Sequence, residues 1–137
     1  MKASPASKHE PEVTTQQLGA WAEQQALRHL QGQGLALLVR NYRTPGRGGG
    51  EIDLIMQSQD GTVVFVEVRQ RQQLRQGGAA ASVSERKRRR IILAARFFLS
   101  RLRALPPCRF DVIAFEGAEL NWIQAAFDVS EMGRRYD

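Results

Sequence analysis

Two apolar runs separated by a short polar turn constrain this chain most. Glu51–Met56 reads EIDLIM and Thr62–Arg69 reads TVVFVEVR, with Asp60-Gly61 between them. Runs of this composition around such a turn predict an antiparallel hairpin. Side chains alternate along a strand. Glu51, Asp53 and Ile55 then share one face of the first strand. Val63, Phe65, Glu67 and Arg69 share one face of the second. Whether Asp53 joins Glu67 depends on register, because a one-residue slip turns every side chain over. A two-residue Asp60-Gly61 turn would pair Asp53 with Val68. A three-residue loop, Gln59-Asp60-Gly61, pairs Asp53 with Glu67 and puts Gly61 in the left-handed position of a G1 bulge.

The second register has a chemical consequence. Two carboxylates on neighbouring strands, followed two residues later by the cation Arg69, suit metal-dependent phosphodiester chemistry. Oxygen ligands hold a hard cation such as Mg²⁺, and that cation sits beside the attacked phosphate. The competing reading makes Asp53 and Glu67 ordinary polar residues on a solvated sheet face.

Residues 1–13 carry two prolines and no apolar periodicity, which predicts a disordered tail. Thr14 and Gln17 form a capping box that opens a helix running to about Gln31. Leu18, Trp21, Ala22 and Leu30 are its expected apolar positions, and Gly32 and Gly34 end it. Residues 35–40 (LALLVR) read as a short buried strand, and 43–50 (RTPGRGGG) as a loop. Residues 70–82 read as a mobile basic connection. Ser82 and Glu85 suggest a second capping box, opening a helix to about Arg103 with an apolar stripe of Ile91, Ile92, Ala95, Phe98, Leu99 and Leu102. Pro106-Pro107 would stop it. Strands are expected at 109–115 and 119–124 around a Glu116-Gly117 turn, followed by a polar tail over 129–137. Residues 14–128 thus read as one domain, α/β or α+β, with a central mixed sheet; α/β with flanking helices is the expected class.

Charge narrows the partners. The net charge is +6 with a pI near 10.4, which favours a polyanion. Arg86-Lys87-Arg88-Arg89-Arg90 is the densest cationic run. Its cations open a helix, where the macrodipole opposes positive charge, so a purely structural start is disfavoured. With Arg71 it forms the expected nucleic-acid contact; a solvated cationic surface is the alternative. Cys108 is the only cysteine, so neither an internal disulfide nor a cysteine-cluster zinc site is expected. His9 and His29 lack metal-ligand spacing. The glycine-rich loop lacks the lysine and hydroxyl of a phosphate-binding P-loop. Arg109 and Asp111 alternate on one strand face, either as an ion pair supporting the site or as an exposed pair worth little. Trp21 and Trp122 are read as core or interface residues. No apolar run suggests secretion or membrane crossing, so a cytoplasmic protein is expected.

Glu23, in the first helix, is a third candidate carboxylate, although the helix pattern alone favours a surface glutamate. Taken together, GAWAE (Gly19–Glu23), Asn41-Tyr42-Arg43, Gly50-Glu51-Ile52-Asp53-Leu54, Phe65-Val66-Glu67-Val68, Arg71, Lys87, Arg109-Phe110-Asp111 and Ala126-Phe127 resemble the YraN-like family of small bacterial proteins. That resemblance spans about residues 14–128. It implies a restriction-endonuclease-like fold related to Holliday junction resolvases. It also implies that Glu23, Asp53 and Glu67 stand at acidic metal-binding positions for Mg²⁺ or Mn²⁺. Resolvase relatives act as dimers on branched DNA, so DNA and a second copy are the implied partners. One residue departs from the nuclease pattern Glu-x-Lys: Arg69 stands where lysine is usual. Arginine stays protonated and presents a planar fork, so Arg69 can clamp a phosphate but cannot serve as a base. The expected function is therefore a nucleic-acid-binding protein with a nuclease fold, acting as a metal-dependent endonuclease with Glu23, Asp53, Glu67 and Arg69 in the catalytic site. A non-catalytic DNA- or RNA-binding module and a protein-interaction domain are the alternatives.

Overall fold

The elements of the computed structural model, which describes residues 12–71, 83–128 and 130, follow the order α1 (Thr15–Gly32), β1 (Ala36–Arg43), β2 (Glu51–Gln57), β3 (Val63–Arg71), α2 (Glu85–Leu99), β4 (Cys108–Glu116) and β5 (Glu119–Phe127). The hairpin takes the odd loop length. Gln57 pairs with Val63, Ser58 N–H donates to the Thr62 carbonyl, and Gly61 N–H donates to the Ser58 carbonyl. Gly61 has φ +92, the left-handed geometry that the three-residue loop requires.

The five strands form one mixed sheet in sequence order. β3 and β4 run parallel over their whole length, and the other neighbours are antiparallel. A parallel pair needs a crossover, and α2 lies in it. One sheet face packs Ile55, Val63, Phe65, Phe110 and Val112 against Ile91, Ile92, Ala95 and Leu99 of α2. The other packs Leu54, Met56, Val64, Val66 and Ile113 against Ala22, Ala26, Leu27 and Leu30 of α1. Each large aliphatic side chain buried this way contributes about 1.5–3 kcal/mol. The architecture is α/β, a mixed sheet flanked by helices, consistent with a restriction-endonuclease-like fold. No helix among the described residues is long and apolar enough to cross a membrane.

Several boundaries differ from the sequence reading. The Thr14 capping box forms with both reciprocal bonds. The buried stripe of α1, however, runs through Ala22, Ala26, Leu27 and Leu30, leaving Leu18 and Trp21 about two-fifths exposed. The expected buried strand at 35–40 is longer and sits at the sheet edge, paired only with β2, and five of its eight residues are exposed. The second helix starts from Ser84 rather than Ser82, with the Ser84 hydroxyl accepting from Lys87 N–H. Val83, just before the cap, is buried and fixes the entry of the chain. The helix ends at Leu99, before the prolines, and Leu102 is exposed rather than part of the stripe. β5 continues to Phe127, past the expected Gln124. Residues 1–11, 72–82 and 131–137, which include most of the proposed tails and the mobile connection, lie outside the described residues.

The glycine-rich loop has a definite structural task. A Cβ on Gly50 would lie 2.2 Å from the Arg90 carbonyl oxygen and 2.6 Å from the Ala94 nitrogen. The loop therefore meets the α2 backbone directly, just before Asp53. Gly50→Ala is expected to destabilise the fold by about 1–3 kcal/mol through overpacking, seen as a lower urea midpoint at unchanged slope. An unchanged midpoint would mean that this approach is not made in solution.

Candidate active site

The strands of the hairpin part where the acids sit. The β2–β3 ladder ends at Leu54 opposite Val66, so the register places Asp53 across from Glu67. There the Val68 N–H donates to Asp53 Oδ2 at 2.8 Å, and the carboxylate fills the gap between the strands. Glu67 is 4% accessible, one of two buried acids among the described residues. Asp53 faces it across the gap, close enough for its charge to act on the Glu67 carboxyl.

Desolvation is the first cause that raises both carboxyls. For Glu67 the second is the Asp53 charge, and together they push it up to about 8 from an ordinary 4.5. Two acids this close, with little water, share a proton near neutral pH. Two cations oppose this weakly. Lys87 Nζ, at the start of α2, lies 3.6 Å from Glu67 Oε2, and Arg69 Nη1 lies 3.8 Å from the same oxygen. Both distances exceed hydrogen-bonding range, so the attraction is electrostatic.

Glu23 approaches from α1. Its side chain is one-fifth exposed, its carboxyl is raised first by burial and next by the Asp53 charge, and Arg40 Nε lies 3.9 Å away. It is therefore not the solvated helix glutamate that periodicity favoured. Among the described residues, no group of three His, Cys, Asp or Glu is placed to hold a metal ion. Asp53 and Glu67 come together and Glu23 flanks them. The donor set fits a hard cation: two carboxylates, no thiol or imidazole, and a shared proton that a cation can replace. Mg²⁺ commonly takes one or two protein carboxylates and keeps several waters.

The basic run divides its tasks. Lys87 faces Glu67. Arg88 stacks over Phe127, with its guanidinium carbon 5.6 Å from the ring centroid. Arg89 pairs with Glu85 at 3.1 Å on the surface. Arg90 bridges Gly49 O at 3.2 Å and Glu51 at 3.6 Å. Arg86 is exposed. Arg71 ends β3, and its side chain lies outside the described set. The Arg109–Asp111 pair is neither exposed nor part of the site. Asp111 is 1% accessible and accepts from Arg109 Nε, Trp122 Nε1 and the Ala125 N–H. It ties β5 to β4 at a register shift, which also accounts for Trp122.

Sequence reasoning assigned Lys87 to phosphate contact and missed its place beside Glu67. It quoted Asn41 only among the residues of a family resemblance and gave it no role; its backbone is left-handed at φ 54. Its place in the Asn41-Tyr42-Arg43 motif and the tolerance of asparagine for left-handed backbone were the available signals.

An α/β domain whose central strands part around a buried carboxylate pair, with a lysine and an arginine beside it, is of the restriction-endonuclease-like class in architecture. A family model described as "Uncharacterised protein family UPF0102" matches residues 22–115. The chain is 65% identical over 115 residues to a UPF0102 protein of Albidiferax ferrireducens, covering 84% of this chain and 90% of that one. It is 58% identical over 116 residues to one of Paracidovorax citrulli, covering 85% and 86%. The match to one of an Acidovorax species is 54% over 120 residues, covering 88% and 91%. This protein belongs to the UPF0102 family, the YraN-like family that its motifs resemble.

Proposed function

We propose that this protein binds DNA and cleaves its backbone as a Mg²⁺- or Mn²⁺-dependent endonuclease acting on branched or damaged DNA. The observation that carries this reading is the pairing of half-buried Asp53 with buried Glu67, whose mutual repulsion is relieved by a shared proton or a cation. A metal bound there would supply a nucleophilic hydroxide and offset charge on the phosphate. Asp53, anchored by the Val68 N–H, and Glu67 would hold it. Glu23 would orient a water from the α1 side. Arg69 would clamp the phosphate with its fork. Lys87 compensates for the missing lysine of the Glu-x-Lys pattern: its ammonium reaches Glu67 from α2, where it can donate to the developing oxyanion. Arg71, Arg86, Arg89 and Arg90 would guide the strand through phosphate contacts. A cytoplasmic location and a second copy of the chain as partner complete the proposal.

A non-catalytic binding module is the second reading. It is favoured by the two cations that already face Glu67 Oε2, which lessen the need for a metal. The deciding experiment offers single-stranded, duplex, flap and four-way-junction DNA to the protein with Mn²⁺ or with chelator. Cleavage only with Mn²⁺ supports the enzyme. Tight binding in both conditions with no cleavage supports the module. Weak binding insensitive to salt would point to a protein partner, because phosphate contacts carry a steep salt slope.

Lys87→Ala is expected to lower cleavage about 10²–10³-fold, the usual cost of losing one positioned donor. Lys87→Arg should recover part of it. Equal rates in all three proteins would remove Lys87 from the site and leave it a surface cation.

A further inference from the structure

Asn41 lies in β1 between Arg40, which pairs with Leu54, and Tyr42, which pairs with Ile52. It therefore stands across from Asp53. Its φ of 54 is one of two positive values among the described non-glycine residues. Such a conformation costs energy for any side chain, although asparagine tolerates it better than most. Asn41 is exposed, so core packing of its own side chain does not impose the conformation.

The left-handed residue breaks strand alternation. Val39 and Tyr42 both pack toward α2, although they stand three positions apart, a spacing that puts side chains of a regular strand on opposite faces. Arg40 and Asn41, adjacent in sequence, both reach α1. Arg40 donates to Gln24 Oε1 at 3.2 Å and lies 3.9 Å from Glu23. With the Asn41 amide nitrogen turned toward Glu23, it donates to both carboxylate oxygens, at 3.2 and 3.3 Å. In a regular strand one of these two neighbours would point away.

We propose that Asn41 is a positioning residue. Its left-handed backbone and its amide together hold the Glu23 carboxylate beside Asp53. Backbone strain of this kind persists where the surrounding structure enforces it, and it clusters at functional sites. The two contributions can be separated. Glycine keeps the backbone and loses the amide; alanine loses both. Aspartate tolerates the backbone but sets a carboxylate against Glu23. The placement of Glu23 stands independently of the nuclease reading, whereas its effect on metal binding rests on that reading.

The test uses the full chain. Urea midpoints are measured for Asn41→Gly, Asn41→Ala and Asn41→Asp, the last also with Glu23→Gln. Mn²⁺ affinity is measured by titration for the wild type and Asn41→Gly. Asn41→Ala should have a lower midpoint than Asn41→Gly, the reverse of the usual order inside a strand. Asn41→Asp should lower the midpoint, and Glu23→Gln should restore it. Asn41→Gly should weaken Mn²⁺ binding about 10–100-fold, as loss of a residue that orients a ligand does. An alanine variant at least as stable as the glycine variant, or no rescue by Glu23→Gln, overturns the proposal. So does Mn²⁺ binding in Asn41→Gly equal to that of the wild type. If the wild type itself binds no Mn²⁺, the metal reading fails, and the midpoint order and the rescue alone decide the role of Asn41.

Discussion

Asp53→Asn is expected to lower Mn²⁺-dependent cleavage about 10⁴-fold, the scale seen when a central catalytic group is removed, while DNA affinity stays equal or rises. The two halves of this expectation have different causes. Cleavage falls because the amide is neutral and leaves Glu67 as the only anionic ligand of the pair. Binding holds or improves because the removed carboxylate repels phosphate, and like charges a few ångströms apart in a poorly solvated site interact strongly. The amide oxygen can still accept from the Val68 N–H that now bonds Asp53 at 2.8 Å, so the strands need not shift. Asp53→Ala removes that acceptor as well. It should lose cleavage to the same extent but unfold at lower urea. Parallel loss of cleavage and DNA affinity in Asp53→Asn would mean that Asp53 supports the binding surface rather than a metal. Cleavage by Asp53→Asn within about tenfold of the wild type would exclude the pair as the catalytic centre.

How far the sequence could be read follows from how local each determinant is. The Thr14 cap was legible because the signal and its partner, Gln17, lie within one turn. The odd hairpin loop was legible because the chemistry required Asp53 opposite Glu67 and Gly61 supplied the left-handed residue. The start of α2 was misread by two residues because Ser82, with Glu85 three positions on, matches the capping-box pattern, whereas Ser84 is followed at that spacing by Lys87. Burial of Val83 in the core chooses between them, and no local pattern records it. LALLVR looked like a buried strand because its composition is apolar. Its position at the sheet edge is a property of topology. Lys87 reaches Glu67 only through the crossover that returns the chain from β3 to β4, so their meeting is invisible at a separation of twenty residues. The left-handed residue Asn41, whose amide meets Glu23, and the extension of β5 to Phe127, where Ala125 N–H donates to Asp111, both involve partners far away in sequence. Positions where local patterning fails in this way are expected at sites under competing demands.

Glu67→Gln should make the metal-free protein more stable than the wild type above about pH 8 and leave the two alike below about pH 4.5. The folded carboxyl is raised to about 8 from 4.5, chiefly by burial and then by Asp53. Between these values the folded state binds more protons than the unfolded chain, so wild-type stability falls as pH rises through that window. The loss accumulates at about 1.4 kcal/mol per unit of pKa difference, so on the order of several kcal/mol separate the two ends. Glutamine fills nearly the same volume, stays neutral and does not take part in this titration. Urea unfolding of both proteins from pH 4.5 to 9, read as the wild-type minus variant difference, cancels the contribution of every group not coupled to Glu67 and leaves the titration of the Asp53–Glu67 pair. The difference should grow in favour of the variant as pH rises; a flat difference would mean that Glu67 is solvated and carries its charge without strain. A divalent cation adds a second contrast, because it competes with the shared proton. Mn²⁺ should stabilise the wild type more at pH 8 than at pH 5 and have little effect on Glu67→Gln at either. If Mn²⁺ leaves the wild type unchanged at pH 8 while the pH window is present, the acid pair is real but holds no metal. Lys87, Arg69 and the Val68 N–H would then compensate it, and the binding module would be the better reading.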